Sequence, residues 1–148
     1  MRRGFTMIEL MVVLALVAIL AVLAAPSFTD QFARRQLEGI ATDMSTDLQF
    51  ARTQAVAERG TTTLVSTTSG YTVTTAQGSK AVAFPNGIAN TLATTVTYDQ
   101  FRGTADAAKS FILSNSARTT AQIQVDVNIM GRVSLCSPSG TLKGYTAC

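Results

Sequence analysis

The sequence predicts an α+β fold in which one long amino-terminal helix packs on an antiparallel β-sheet. Three observations predict this fold. Residues 10–28 carry no charge, apolar residues then recur at helical spacing up to residue 55, and Thr, Ser, Val and Gly dominate after residue 60. A helix with one apolar face must bury that face against another layer, and a sheet with one hydrated face offers the matching surface.

The composition limits the functions open to the chain. Its 148 residues suit one domain of ordinary size and one special segment, and 47% of the residues are apolar. The sequence contains no His, which is the commonest metal ligand and the usual general base near neutral pH. No nucleophile stands beside a base in a recognisable motif, and there is no glycine-rich phosphate loop. We therefore expect no enzymatic activity, no metal site and no cofactor.

The amino terminus has the features of a membrane anchor. Twenty helical residues rise about 30 Å, the thickness of a bilayer's hydrocarbon core, so the uncharged run of residues 10–28 is just long enough to span it. Arg2 and Arg3 precede the run and Asp30 follows it. The positive-inside rule then leaves Met1 in the cytoplasm and carries the rest of the chain across the membrane.

Two interpretations of this segment are a cleaved secretory signal and a plain membrane anchor. A cleaved secretory signal would have a shorter apolar core and a small-residue cleavage site, which Ala21, Ala24 and Ala25 could imitate. A plain anchor accounts for the length but leaves Glu9 unexplained. A carboxylate in the apolar entry of a spanning helix costs about 2.5–3.5 kcal/mol, unless it lies close enough to the headgroups to stay hydrated. An acid in such a place is therefore a candidate functional residue with a partner.

The string GFTMIELMVV, residues 4–13, resembles the class III signal of type IV pilins and type II secretion pseudopilins. The resemblance implies that residues 1–4 are a short basic leader on the cytoplasmic side. Prepilin peptidase would cut after Gly4, so that the apolar helix is retained. The same enzyme would then N-methylate the new amino terminus at Phe5.

The same resemblance gives roles to two further residues. Glu9 stands at the family's acidic position, and Pro26 matches its helix-kinking proline. Cleavage would leave a positive amine on Phe5, which Glu9 of a neighbouring subunit could neutralise. Breaking a buried charge pair by deleting one partner costs about 3–5 kcal/mol, because the other charge is stranded. Residues 5–29 would thus form a transmembrane and assembly helix in which Glu9 sets the depth of each subunit.

Beyond Pro26, where the missing N–H predicts a kink, residues 30–60 are expected to form an amphipathic half of the same helix. Its apolar stripe consists of Leu37, Ile40, Ala41, Met44, Leu48, Ala51 and Ala55. The charged residues, which mostly lie off the stripe, are Arg34, Arg35, Glu38, Asp43, Asp47 and Arg52. Gly60 is the expected stop, so the helix would extend from residue 5 to about residue 59, about 80 Å at 1.5 Å per residue.

Residues 61–148 are expected to form a β-rich head. The predicted strands cover residues 61–67, 71–75, 80–84, 92–101, 111–113, 122–129 and 132–136. The strongest alternation places Ile123, Val125, Val127 and Ile129 on one face against polar neighbours on the other. This pattern predicts an antiparallel sheet that buries one face on the amphipathic half of the helix, which together with the signal is a pilin-like architecture.

The tail IQVDVNIMGRVSLC, residues 123–136, is similar to the end of the GspH/FimT family of minor pilins and pseudopilins. That family has a β-strand, a Gly-Arg-Val turn and a further strand at this place. The resemblance implies a minor rather than a major filament subunit, although residues 61–110 match no pattern that would decide between the two.

Cys136 and Cys148 would lie beyond the inner membrane in this topology, where disulfides persist. A bond between them would close a loop of about a dozen residues, which stabilises by roughly 3 kcal/mol in the chain-entropy model. Terminal disulfide loops of this kind resemble those of many pilins. Metal binding by two Cys without His is the less favoured interpretation.

The charge of the mature chain argues against broad nucleic-acid binding. The formal charge is +3, and removal of Arg2 and Arg3 lowers it to +1. A local DNA-binding patch formed by Arg118, Arg132 and Lys143 stays possible, because some FimT-like minor pilins bind DNA near this end. The alternative is that these are scattered, hydrated charges.

The sequence therefore predicts a subunit, a minor pilin or pseudopilin, of a type IV pilus or type II secretion filament. The alternative is a DNA-binding minor pilin for natural transformation, and a membrane-anchored enzyme is a third hypothesis. The expected partners are other pilin subunits, prepilin peptidase and the inner membrane before assembly. The head would first be periplasmic and then lie in a periplasmic or cell-surface filament.

Overall fold

The computed structural model describes residues 6–140 and 142–148, without the side chains of residues 23–28, 118 and 119. In this part of the chain one helix, α1 (Met7–Ala57), is followed by eight strands. The strands are β1 (Thr62–Thr67), β2 (Gly70–Thr75), β3 (Gly78–Ala83), β4 (Ile88–Asn90), β5 (Thr95–Tyr98), β6 (Lys109–Asn115), β7 (Arg118–Val127) and β8 (Val133–Cys136). The predicted leader of residues 1–4, the cleavage site at Gly4 and Phe5, and the side chain of Pro26 lie outside the described residues.

The chain separates into two compact units, one ending at Phe32 and the other spanning Ala33–Cys148. From here on, the head means this second unit, which includes the second half of α1 as well as the β-rich residues 61–148. In the first unit, the large apolar side chains between Met7 and Val22 are exposed over 50–77% of their surface. Within the residues that the structure describes, no helix has a stretch long and apolar enough to cross a bilayer.

The head contains two antiparallel sheets, whereas the sequence predicted one. The first sheet has the order β3-β2-β1-β5, and the second has the order β4-β6-β7-β8. The second is extended by β4, a three-residue strand that pairs Ile88 with Asn115 and was not predicted. Strand β5 is shorter than the predicted residues 92–101, because Asp99 already lies in a turn.

The amphipathic stripe of α1 forms one wall of the core of the head. All seven predicted stripe residues are buried except Ile40, which is half-buried and packs against the others. Side chains from both sheets complete the cluster, among them Leu64, Val96, Phe111 and Ile123. Because the buried cluster lies wholly within Ala33–Cys148, the head holds a complete core of its own.

The predicted alternation in β7 loses its last buried member, because the strand ends before residue 129. Ile123, Val125 and Val127 are buried, but Ile129 is 60% exposed. The strand ends at Val127, and the Gly131 N–H donates to the Asn128 carbonyl at 2.8 Å, so Ile129 lies in a turn. Gly131 has a φ of 73°, which favours glycine and allows this turn.

The left-handed residue that ends α1 lies one position before Gly60, the predicted stop. The Gly60 N–H donates to the Ala55 carbonyl at 3.1 Å, which is the long hydrogen bond of a Schellman closure. The left-handed residue of this closure is Arg59, with a φ of 49°, and not Gly60. A side chain in this conformation costs roughly 1–2 kcal/mol relative to a right-handed one.

We expect Arg59→Gly to raise the free energy of unfolding of the head by about 0.5–1 kcal/mol, because glycine relieves this conformation but adds freedom to the unfolded chain. Urea denaturation measures the change. The matched control is Arg59→Ala, which keeps a Cβ in the left-handed conformation and should be nearly neutral. A destabilised Arg59→Gly head would contradict this account of the helix end.

Candidate assembly surfaces

Glu9 lies in the first turn of α1. The Thr6 Oγ1 accepts a hydrogen bond from the Glu9 backbone N–H at 3.3 Å, so Thr6 caps the helix. Thr6 and Glu9 have the spacing of a capping box, a sequence signal for a helix that begins just after Thr6. Within the described residues no hydrogen bond or ion pair of the Glu9 carboxylate is recorded, and the residue is exposed. The carboxylate is thus available to a charge outside the subunit.

Cys136 and Cys148 form the predicted disulfide, with their Cα atoms 5.0 Å apart. The bond fixes the end of the chain to β8, and a parallel bridge between Ser137 and Ala147 lies beside it. An Asp126 carboxylate oxygen lies 3.3 Å from the Cys136 Sγ. Among the described residues, these three form the group whose ligand atoms lie close enough together to hold a metal ion. The two sulfurs are bonded to each other, however, and a disulfide offers no thiolate ligand.

The three residues proposed for DNA binding do not all occupy positions at the same end of the head. Arg118 begins β7 and Arg132 follows its far end, and a strand of ten residues spans about 30 Å. The Lys143 carbonyl accepts a hydrogen bond from Arg34, near the start of the head, whereas Arg132 follows Gly131, which lies against Arg52. The side chain of Arg118 lies outside the described part. The three positions therefore do not form one compact patch.

Arg132 instead belongs to a surface at the end of the head that lies opposite Ala33, which we call the distal patch. Two neighbouring turns, residues 99–104 and 128–132, build it, and the Ala105 N–H bonds the Ile129 carbonyl at 2.9 Å. The patch consists of the exposed residues Phe101, Arg102, Ile129, Met130 and Arg132. The sequence pattern does not reveal this patch, because it predicts Phe101 and Ile129 as strand residues.

Hydrogen bonds of the turn formed by residues 99–104 hold the backbone of the distal patch in place. The backbone N–H groups of Arg102 and Phe101 donate to Asp99 at 3.0 and 2.9 Å. Through these two bonds, in that order, the pKa of the Asp99 carboxyl lies below its usual range, so Asp99 stays a charged acceptor. The Arg52 Nε of α1 donates to the Gly103 carbonyl at 2.9 Å and ties the same turn to the helix.

A second surface, which we call the seam, lies where α1 meets β2 and β3. Asp47 is almost fully buried, although the sequence placed it among residues mostly off the stripe. It accepts hydrogen bonds from the Tyr71 hydroxyl and from the Lys80 Nζ, both at 2.8 Å. Burial, and then the bond to Asp47, raise the pKa of Tyr71 well above its usual range, so its hydroxyl stays a donor. The burial of Asp47 is therefore compensated by a cation and a hydroxyl.

Two shallow clefts open along the seam on either side of Lys80. One has a volume of about 290 Å³ and is lined by Asp43, Asp47 and Tyr71, among others. The other, of about 240 Å³, is lined by Phe50, Val73 and Thr75, among others. Asp43, Phe50 and Lys80 are exposed, so the seam presents a carboxylate, an aromatic ring and an ammonium group that is paired with Asp47.

Comparison with known families gives two matches along the chain. Residues 1–25 match the family described as prokaryotic N-terminal methylation motif, and residues 41–131 match the family described as type II transport protein GspH. The two matches confirm both resemblances drawn from the sequence.

Individual relatives are similar over shorter stretches. The chain is 41% identical over 58 residues to a fimbrial protein of Moraxella nonliquefaciens, which covers 34% of this chain and 38% of that protein. It is 49% identical over 41 residues to the type IV major fimbrial protein FimA of Dichelobacter nodosus, which covers 27% and 26%. The chain thus spans well under half the length of these curated relatives.

The fold is similar to a crystal structure of the type IV minor pilin FimU of Pseudomonas aeruginosa. The TM-score is 0.59 at 18% identity, and the likeness covers 76% of this chain and 96% of that chain. At this identity the likeness concerns the fold alone. It confirms the predicted pilin-like combination of a long helix with antiparallel β-structure.

Removal of the disulfide should lower the free energy of unfolding of the head by about 3 kcal/mol, because the unfolded chain regains the freedom of a loop of about a dozen residues. The variant carries both Cys136→Ala and Cys148→Ala, and urea denaturation measures the loss. A reducing agent should destabilise the unchanged head by a similar amount and leave the double variant unaffected. Equal stability of the oxidised and reduced heads would show that the bond adds nothing.

Proposed function

Because this chain belongs to the family of the type II transport protein GspH, we propose that it is a minor pilin or pseudopilin of a type IV pilus or type II secretion filament. The observation that carries the proposal is the surface of the first unit. From Met7 to Val22 its large apolar side chains are exposed on all sides of α1, with Glu9 among them. A surface of this kind needs lipid or other helices around it.

The proposed assembly rule is a charge pair between subunits. Processing at Gly4 would leave a positive amine on Phe5, and Glu9 of an adjacent subunit would neutralise it among apolar side chains. The exposed carboxylate of Glu9, for which no partner is recorded within the described residues, supports this role. An incoming helix would then stop where its amine meets an acid already in the filament, since any other depth strands two charges in apolar surroundings.

The proposed location follows from the same segment. Before assembly the uncharged run of residues 10–28 would hold the subunit in the inner membrane, with the head in the periplasm. The disulfide suits such an oxidising compartment. The minor-subunit role is supported by the family match over residues 41–131. We assign the chain a structural role in the filament and no catalytic step.

Mass spectrometry of the mature chain tests the proposed processing. We expect a first residue of Phe5 carrying one N-methyl group, in a membrane fraction that contains prepilin peptidase. Deletion of the peptidase should leave the unmethylated chain starting at Met1. A mature chain that begins just after Ala25 would identify a cleaved secretory signal and remove the proposal.

Glu9→Gln tests the charge pair, because it removes the charge and preserves the size of the side chain. We expect normal membrane insertion but at least about a tenfold lower incorporation into filaments, since a buried amine loses its partner. Thr6→Ala is the matched control, because it removes the cap of the same helical turn and leaves the acid in place. Equal losses in both variants would assign Glu9 to capping instead.

A further inference from the structure

The distal patch projects from the head. Phe101, Ile129 and Met130 are exposed over 75%, 60% and 68% of their surface, although each is a residue type that is usually buried. Arg102 and Arg132 stand next to them, and among the described residues neither takes part in a recorded salt bridge. An apolar cluster with cations at its rim is the composition of a protein contact surface.

The backbone conformation of the patch is fixed before any partner binds. The Gly131 backbone lies so close to the other turn that an added Cβ would stand 2.5 Å from the Gly103 carbonyl oxygen and 2.9 Å from the Arg52 Nε. Gly103 and Gly131 have φ values of 60° and 73°, and such conformations favour glycine. Both turns are thus clasped around Arg52. A backbone held in one conformation loses little further entropy on binding, so the cost of ordering falls on the exposed side chains.

The seam has the complementary properties. It carries the exposed carboxylate of Asp43 and the half-exposed ring of Phe50, beside clefts of about 290 and 240 Å³. The buried charge of Asp47 is already matched by Lys80, so Asp43 is the acid of this surface that can serve an incoming cation. Protruding apolar side chains can enter such clefts while an arginine approaches Asp43.

The seam and the distal patch lie on opposite sides of α1. Asp43 belongs to the seam, and Arg52 contacts the turns of the patch. Asp43 and Arg52 are nine residues apart, which is two and a half helical turns. A contact between the distal patch of one copy and the seam of another is therefore head-to-tail. It leaves the second copy's patch and the first copy's seam free, and contacts of this kind extend into filaments when they do not close into rings.

We propose that the distal patch docks on the seam of a second copy of this chain. Phe101, Ile129 and Met130 enter the clefts beside Lys80, and Arg102 and Arg132 face Asp43. The inference deepens the proposed filament role and rests on it. Its test uses the isolated head, which has a complete core, so that a failure of the Glu9 rule and a failure of this contact are separately visible.

Sedimentation equilibrium of the Ala33–Cys148 head at low salt measures the contact. A contact made through a few exposed side chains predicts weak association, with a Kd on the order of 10⁻⁴ to 10⁻³ M. The double variant Arg102→Glu with Arg132→Glu should weaken association at least about tenfold, and Phe101→Ser should do the same without a change of charge. Lys143→Glu is the matched control, an exposed cation at the other end of the head, and should leave association unchanged.

A charge exchange identifies the partner surface. Asp43→Arg alone should also prevent association, and a mixture of Asp43→Arg heads with the Arg102→Glu, Arg132→Glu heads should associate again. Circular dichroism confirms that each variant is folded. A head that stays monomeric at about 1 mM, or a mixture that fails to associate, would overturn the proposal. Retention of short DNA by the unchanged head but not by the arginine variants, without self-association, would reassign the patch to nucleic acid.

Discussion

Burial of one apolar stripe on α1 is the constraint on which the head depends. Leu37, Met44 and Leu48 are completely buried, and side chains from both four-stranded sheets close over them. The two sheets are therefore organised by a helix that contacts both of them. The positions of the turns follow, because antiparallel strands packed along the buried part of one helix reverse near the two ends of that part. The distal patch and the turn at Ser116 are such reversals.

The same packing explains where polar groups could be buried. Asp47 lies one position before Leu48 and would be costly beneath the first sheet without partners. Lys80 and the Tyr71 hydroxyl approach it from β3 and β2 and compensate that cost. The amide of Asn90, on β4, bonds the Ser66 hydroxyl on β1 and thereby joins the two sheets. Asp47 and Asn90 therefore link, through hydrogen bonds, layers that otherwise contact each other through apolar side chains.

Helical spacing and alternation were sufficient to predict the helix and most strands, whereas the disulfide was predicted from the expected export across the inner membrane and the resemblance to pilins. Spacing and alternation failed where a residue's role depends on distant partners. The sequence pattern predicts Asp47 as a surface charge, whereas it is buried beside Lys80. Ile129 continues the predicted alternation, which the turn at Asn128 interrupts. Arg59 adopts the left-handed conformation next to a glycine that would have adopted it more easily, a choice that local sequence signals do not reveal. Glu9 was predicted as a candidate because an acid among apolar residues is conspicuous without any fold.

The two units offer different kinds of information for assembly. An apolar helix gains free energy in nearly any arrangement that removes it from water, so its contacts are strong but poorly specific. One charge can fix the position of such a helix along its axis, but it leaves the rotation about that axis undetermined. Rotation must be set by a contact away from the axis, and for that purpose weak affinity is sufficient because the helices already hold the heads at high local concentration. A rigid patch such as that around Phe101 and Arg132 has the properties that this second requirement demands, whereas a larger apolar surface would also bring together heads that are not aligned.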